Sequence, residues 1–443
     1  MQQTLADSGV PEVPSRYGRY SRRAVAAWAV GAWVAVLAVA LVWGATVRSD
    51  DRAHVNAAPF VGTWLPAWGW RAVPAIGMAA AAVAWAPGLA ARLPWRRLMA
   101  AAVLAGAGWA VALAYVDGPG ALTAPLTTRY EYLNDVPRVA SAGPVRFLDT
   151  FVEQVPTFAT HVKSHPPGMV IGLWGLDRLG LGGPRWAALI VLVGGAAAVA
   201  AALTATREMA GEAVARRAAP FVALAPAAVF VATSPDALFV GVAAWGVALL
   251  VMATGREGRR GDALALGGGA LLGAALFLSY GAVLLLPIPV TVALVRRRFR
   301  PLAVAALTVA AIAGVVAVAG FWWLDGLSAA RAAYHRGLAS RRPYGYFLVA
   351  NLAVFAVLLS PATAAALTRL RSRRLWLVVG AALASVALAD LSGLSKGEVE
   401  RIWLIFVPWV VVACASLGPR ARGWLAVHVG TGLALQVLLR SPW

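Results

Sequence analysis

The chain has 443 residues, of which 60% are hydrophobic and only 13% charged, and it carries a formal net charge of +20 at pH 7. That balance excludes an ordinary water-soluble domain, and the strongly positive mean hydropathy makes lipid the expected solvent. The cations do not gather into one basic domain, which argues against nucleic acid as a partner; they sit in short clusters between apolar runs, as cytoplasmic loops do under the positive-inside rule.

In chain order, residues 1–23 read as a cytoplasmic N-terminal tail, because the Arg-rich stretch from Arg16 to Arg23 precedes the first apolar run. That run, 24–47, ends without a small-residue cleavage site and reads as a retained membrane helix rather than a signal peptide. Further runs at 72–91, 98–116, 186–206, 218–232 and 236–254 are each expected to cross the bilayer. Seven more follow at 263–278, 281–295, 301–323, 346–368, 375–391, 402–417 and 424–440. The fold class is therefore all-α: one polytopic membrane domain over 1–443 with about thirteen transmembrane helices.

Residues 168–182 are apolar but short and Gly-rich. Counting them as a crossing would put the later Arg clusters outside, so they read as a re-entrant or surface helix within a large extracytoplasmic loop at 117–184. On this topology 13 of the 19 acidic residues face outward. Acids do little to set topology, so their skew marks the outer face as the place of polar work. The expected location is the plasma membrane, with the N-terminus inside and the active face outside.

Five outer segments carry the chemistry: Arg48 to Asp51, Tyr130 to Asp135, His161 to Gly168, Ser340 to Tyr346 and Ser395 to Arg401. Two carboxylate pairs compete as proton acceptors, Glu131 with Asp135 and Asp50 with Asp51. His165 stands before Pro166-Pro167, whose rings fix the backbone where the chain turns back toward the membrane. Arg341, Arg342, Lys396 and Arg401 are cations suited to an anionic group, although snorkelling to headgroups also accounts for cations beside a crossing. A Glu/Asp pair also suits a divalent cation, but the spacing does not require one. Cys414 is the only cysteine, so no disulfide framework or cysteine metal site is available.

These segments resemble the GT-C superfamily of membrane glycosyltransferases, in particular the branch of protein mannosyltransferases and aminoarabinose transferases. Glu131 and Asp135 precede His165-Pro166-Pro167 by 34 and 30 residues, similar to that branch's acidic loop and His-Pro-Pro motif. The chain departs from the branch, whose acidic pair directly follows the first helix: here Asp50-Asp51 occupy that place and the segment Tyr130 to Asp135 follows the third helix. The strings Arg342-Pro343-Tyr344-Gly345-Tyr346-Phe347 and Ser395 to Trp403 are similar to transferases of mycolate-type envelopes, including a family that adds methylthioxylose to lipoarabinomannan. The resemblance implies a polyprenyl-phosphate sugar donor, a lipoglycan acceptor and an inverting transfer. Glu131 or Asp135 would act as base, with Asp50 or Asp51 as the rival, and His165, Arg341, Arg342, Lys396 and Arg401 would hold the donor phosphate.

A secondary transporter or flippase for lipid-linked saccharides is the main alternative, and an assembly partner without catalysis is a third. Transporters place ionisable residues at the midplane of broken or repeated helices, whereas the acids here lie in outer loops. Asp236, after Ser234-Pro235, is expected to cap a helix. Gly194-Gly195 and Gly267 to Gly269 are expected at close helix contacts rather than in a phosphate loop. Trp64, Trp68, Trp70, Trp322 and Trp323 fit an interfacial aromatic belt.

Overall fold

A computed structural model of the chain describes residues 22–49 and 55–443. Among them are ten helices long and apolar enough to cross a membrane, and the described strands form one two-stranded sheet. The protein is therefore an all-α, multi-pass membrane protein, as a chain must be when lipid cannot pair with its backbone.

The ten spans differ in what surrounds them. In Ala24–Arg48 and Arg300–Val318 only 11% of the apolar window is covered by protein, whereas Val399–Ser416 reaches 83% and Asp236–Ala253 72%. The first two are peripheral and present Trp28, Val42, Leu307 and Val318 to lipid; the last two form the centre of the bundle.

Three expected crossings are built differently. Residues 218–232 fall on the end of helix Glu212–Ala223 and on a 3-10 helix, Pro226–Phe230. Residues 281–295 fall on a 3-10 turn, Tyr280–Leu285, followed by helix Pro287–Arg296, and 424–440 fall on helix Ala421–Leu438. Pro226 and Pro287 remove amide donors where the helices break, and neighbours must satisfy what is freed. One such neighbour is His428, whose Nε2 donates to the Phe221 carbonyl at 3.0 Å. Its Nδ1 then accepts from the Ser360 hydroxyl at 2.6 Å. Ser360 itself breaks helix Tyr344–Leu367 at φ 69°, just before Pro361.

Small residues set the closest packing, because dispersion between near backbones drives association where lipid is as apolar as Leu. A Cβ on Gly241 would stand 2.0 Å from the Gly194 carbonyl oxygen, so helices Pro184–Ala210 and Asp236–Ala253 touch backbone to backbone. Gly269 meets Ala305 in the same way, with a notional Cβ at 2.8 Å from its Cα.

The arginine clusters converge on one end of the bundle. Arg216 donates to the Ala90 and Leu93 carbonyls at 2.9 and 2.7 Å, and the Arg207 guanidinium lies 4.6 Å from the Trp95 ring centre. Arg256 and Arg296 approach Glu208 at 3.0 and 3.6 Å, while Arg217 and Arg369 bond the Ala415 and Leu417 carbonyls. The opposite end holds the segment from Tyr115 to Gly183, helix Trp323–Arg336 and the turn before Val399. Within it, helix Gly168–Arg178 has 11 residues, a length of about 16 Å that cannot cross a hydrocarbon layer of about 30 Å. Residues 63–64 pair antiparallel with 439–440, fastening the segment after the first helix to the end of the last.

Candidate active site

Glu131 is extended at φ −94°, ψ 162°, and leads into a 3-10 turn, Tyr132–Asp135. The amide of His161 donates to the Tyr130 carbonyl at 3.0 Å, laying the second loop segment against the first. Asp135 fastens the same junction: its Oδ2 accepts from the Ala159 amide at 2.8 Å and its Oδ1 pairs with Arg138 at 2.8 Å. Burial nonetheless raises the Asp135 carboxyl above its usual range, with the Ala159 amide and Arg138 opposing. Tyr132 packs its ring against His161, His165 and Phe239, and burial pushes its hydroxyl well above the ordinary tyrosine range.

The Pro-Pro-Gly after His165 has a steric cause. A Cβ on Gly168 would lie 2.3 Å from the Phe277 carbonyl oxygen, so the helix that begins there seats directly on the end of helix Gly258–Leu278. His165 Nδ1 donates to the His161 carbonyl at 2.9 Å, and its Nε2 stands 3.9 Å from Asp236. Burial lowers this imidazole to about 4, outweighing Asp236, so it is neutral near pH 7.

The third segment is a tight turn. Gly397 and Glu398 both have positive φ, 86° and 62°. Asn351 staples it by donating to the Ser395 carbonyl at 2.6 Å and to Asp390 at 2.9 Å, and by accepting from the Gly397 amide at 3.2 Å. The turn delivers Arg401 to the centre, 5% exposed. Arg401 Nη1 donates to Asp236 at 2.8 Å, and Nη2 meets Glu398 at 2.7 Å and His161 Nε2 at 3.1 Å. Burial would raise the Glu398 carboxyl, but Arg401 and Arg342 outweigh it and hold the group below its usual range. Two carboxylates therefore compensate the Arg401 charge.

The arginine also fixes the histidine tautomer. A guanidinium only donates, so His161 Nε2 must accept and Nδ1 carries the proton. Nδ1 lies 2.8 Å from Glu131 Oε1, at ion-pair distance but without hydrogen-bond alignment. The other Glu131 oxygen, Oε2, is buried and has no hydrogen-bond partner among the described residues. The result is a buried chain, Glu131 to His161 to Arg401, ending in a carboxylate oxygen whose hydrogen-bonding capacity is unfilled among the described residues.

The cations named from sequence separate. Arg342 is buried, donates to the Lys396 carbonyl at 2.6 Å and lies 3.6 Å from Glu398. Lys396 Nζ donates to the Ser340 and Arg342 carbonyls at 2.5 and 2.9 Å, and burial with Arg342 nearby lowers its ammonium. Arg341 is exposed. Asp50 and Asp51 lie outside the described residues, as do residues 1–21 of the expected tail.

Asp236, expected as a helix cap, makes no capping bond; it pairs with Arg401 and accepts from Ser234 Oγ at 2.9 Å. Sequence reasoning gave little weight to His161 and none to Asn351, although a lone amide inside a 24-residue apolar helix is a signal in itself. Among the described residues no group of three or more His, Cys, Asp or Glu side chains is arranged to hold a metal ion. No protein-family model matches the chain, and no curated protein matches it either.

Proposed function

We propose that the protein is a GT-C type, inverting glycosyltransferase that moves a sugar from a polyprenyl-phosphate donor to a lipoglycan on the outer face of the plasma membrane. The observation that carries the reading is Glu131: a buried carboxylate with one oxygen against a tautomer-fixed histidine and the other unpartnered among the described residues. In the reaction Glu131 Oε2 takes the proton from an acceptor hydroxyl as that oxygen bonds to the anomeric carbon. The bond from that carbon to the phosphate oxygen breaks, and the electron pair leaves with the phosphate. Arg341 and Arg342, with Lys396 beside them, supply positive charge for the departing phosphate. His165 is neutral at the back of the site, and Arg401 is a positioning residue that holds His161 and Glu398.

The topology belongs to the same proposal. The three broken or shorter passages complete thirteen crossings, the arginine-rich end is cytoplasmic, and the acid-bearing end faces outward. The similarity to methylthioxylose transferases points to a pentose and a lipoarabinomannan-type acceptor; a mannosyl or arabinosyl transfer fits the same site. The breaks at Ser360 and before Pro226 and Pro287 favour the transporter alternative, since transporters use discontinuous helices. Against it, Asp236 and Arg401 lie in the first turns of their spans, at the bundle end rather than the midplane.

The test is the lipoglycan profile of cells lacking the protein, complemented with wild type or with Glu131→Gln at matched abundance. Loss of one sugar cap, restored by wild type and not by Glu131→Gln, is the expected result. Full rescue by Glu131→Gln would remove Glu131 as the base, and an unchanged profile in the deletion strain would remove the lipoglycan assignment.

A further inference from the structure

Beside the Glu131 chain lies a cavity of about 780 Å³, within the range of about 300–1,000 Å³ typical of ligand pockets. It is an open cleft lined by the segment around Trp68 and Trp70, the turn after Val116, and the end of helix Ala421–Leu438 with the strand that follows. One ring separates it from the candidate active site: Trp443 lines the cavity and also lies 4.8 Å from the Arg401 guanidinium and 6.4 Å from the His161 ring.

The lining selects the occupant. Trp68 and Trp70 offer aromatic faces, and Gln436, Thr128 and Thr233 offer neutral hydrogen-bonding groups. Thr233 is 6% exposed and its hydroxyl has no partner among the described residues; the Trp443 indole nitrogen is likewise buried and unpartnered. A buried orphan of this kind is destabilising unless something fills it. Asp117 pairs with Arg440 and accepts from Gln436 at 3.0 Å, which leaves Arg71, beside the Trp70 ring, as the lining cation outside that pair. An isoprenoid chain would strand these polar groups, and of the two lining arginines Arg440 is already neutralised, while Arg71 can donate to a hydroxyl. Stacking faces with neutral donors and acceptors are what sugar rings and hydroxyls require.

We infer that this cavity binds the neutral oligosaccharide end of the acceptor, with Trp443 forming the wall that an acceptor hydroxyl must pass to reach Glu131. The inference rests on the transferase reading for the word acceptor, but saccharide binding is measured apart from transfer. The full chain in lipid nanodiscs is titrated with soluble neutral hexose and pentose oligosaccharides by saturation-transfer NMR, with inorganic phosphate and a short isoprenyl phosphate as competitors.

Wild type should bind at least one oligosaccharide saturably, and Trp68→Ala and Gln436→Ala should each weaken binding about tenfold. Thr233→Val, nearly isosteric, should weaken it without disturbing the fold. Gly31→Ala, in the peripheral first span where a Cβ meets nothing within 4 Å, should bind as wild type does. Absence of binding to wild type, undiminished binding in all three cavity variants, or competitive displacement by the isoprenyl phosphate would overturn the assignment. Saccharide binding by a chain that transfers no sugar would uphold the cavity and count against the transferase.

Discussion

Arg401 Nη1 and Asp236 Oδ2 stand 2.8 Å apart in side chains that are 6% and 9% exposed, joining the starts of the two most enclosed spans. Removing one partner of such a pair leaves an uncompensated buried charge, at a cost of about 3–5 kcal/mol. Asp236→Asn should therefore lower the thermal midpoint in detergent markedly. Asp236→Asn combined with Arg401→Gln should be less destabilised than the sum of the single changes, since the stranded cation is gone. Additive losses would show that the pair is not coupled.

Glu131 and Asp135 should respond differently although sequence offers them as equals. Glu131→Gln keeps the shape and removes the open proton acceptor, so transfer should fall by about 10²–10⁴-fold with little change in stability. Asp135 has both oxygens engaged, by the Ala159 amide and Arg138. Asp135→Asn should chiefly loosen the junction of the two loop segments, seen as faster proteolysis near Ala159 with transfer reduced less than tenfold, roughly the effect of one weakened hydrogen bond. Equal loss of transfer in the two variants, at equal stability, would make them a catalytic pair.

Much of this was legible in sequence, for physical reasons. Long apolar runs must be helices in lipid, and the Arg clusters between them gather at one end of the bundle. Glu131, His161, His165, Arg342 and Arg401 were visible because ionisable groups in an apolar chain are rare. Their pairing was not visible: Asp236 and Arg401 are 165 residues apart, and local rules assign one to a cap and the other to headgroups. Asp135 read as the equal of Glu131 because no sequence rule anticipates that the Ala159 amide and Arg138 engage its oxygens. The run at 281–295 read as one helix because hydropathy is blind to a 3-10 start.

Helix contact makes a prediction independent of chemistry. Gly241 faces the Gly194 carbonyl, where an added methyl would sit at 2.0 Å, whereas a Cβ at Gly31 meets nothing within 4 Å. Gly241→Ala must push two backbones apart and should cost about 1–3 kcal/mol, as overpacking does. Gly31→Ala, in a lipid-facing helix, should be neutral or slightly stabilising because alanine is the better helix former. Thermal unfolding of the two variants in the same detergent checks this, and equal midpoints would contradict the close crossing.

His165 gives a pH dependence whose direction follows from its burial. Its imidazole is lowered to about 4 in the folded protein, against about 6.5 when exposed. Between those values the unfolded chain binds a proton that the folded one refuses, so stability falls as pH falls. The contribution is fully present above about pH 6.5 and is lost progressively toward pH 4, on the order of 3 kcal/mol in all. His165→Gln cannot titrate and keeps an amide donor for the His161 carbonyl. The thermal midpoint of wild type should therefore drop more steeply between pH 7 and 5 than that of His165→Gln. Parallel curves would mean that the folded imidazole takes up its proton over the same range as an exposed one. Its Nε2, 3.9 Å from Asp236, would then become a cation as the pH falls through about 6.5, and on the transferase proposal the departing phosphate would gain a fourth positive group beside Arg341, Arg342 and Lys396 only on the acid side of that value.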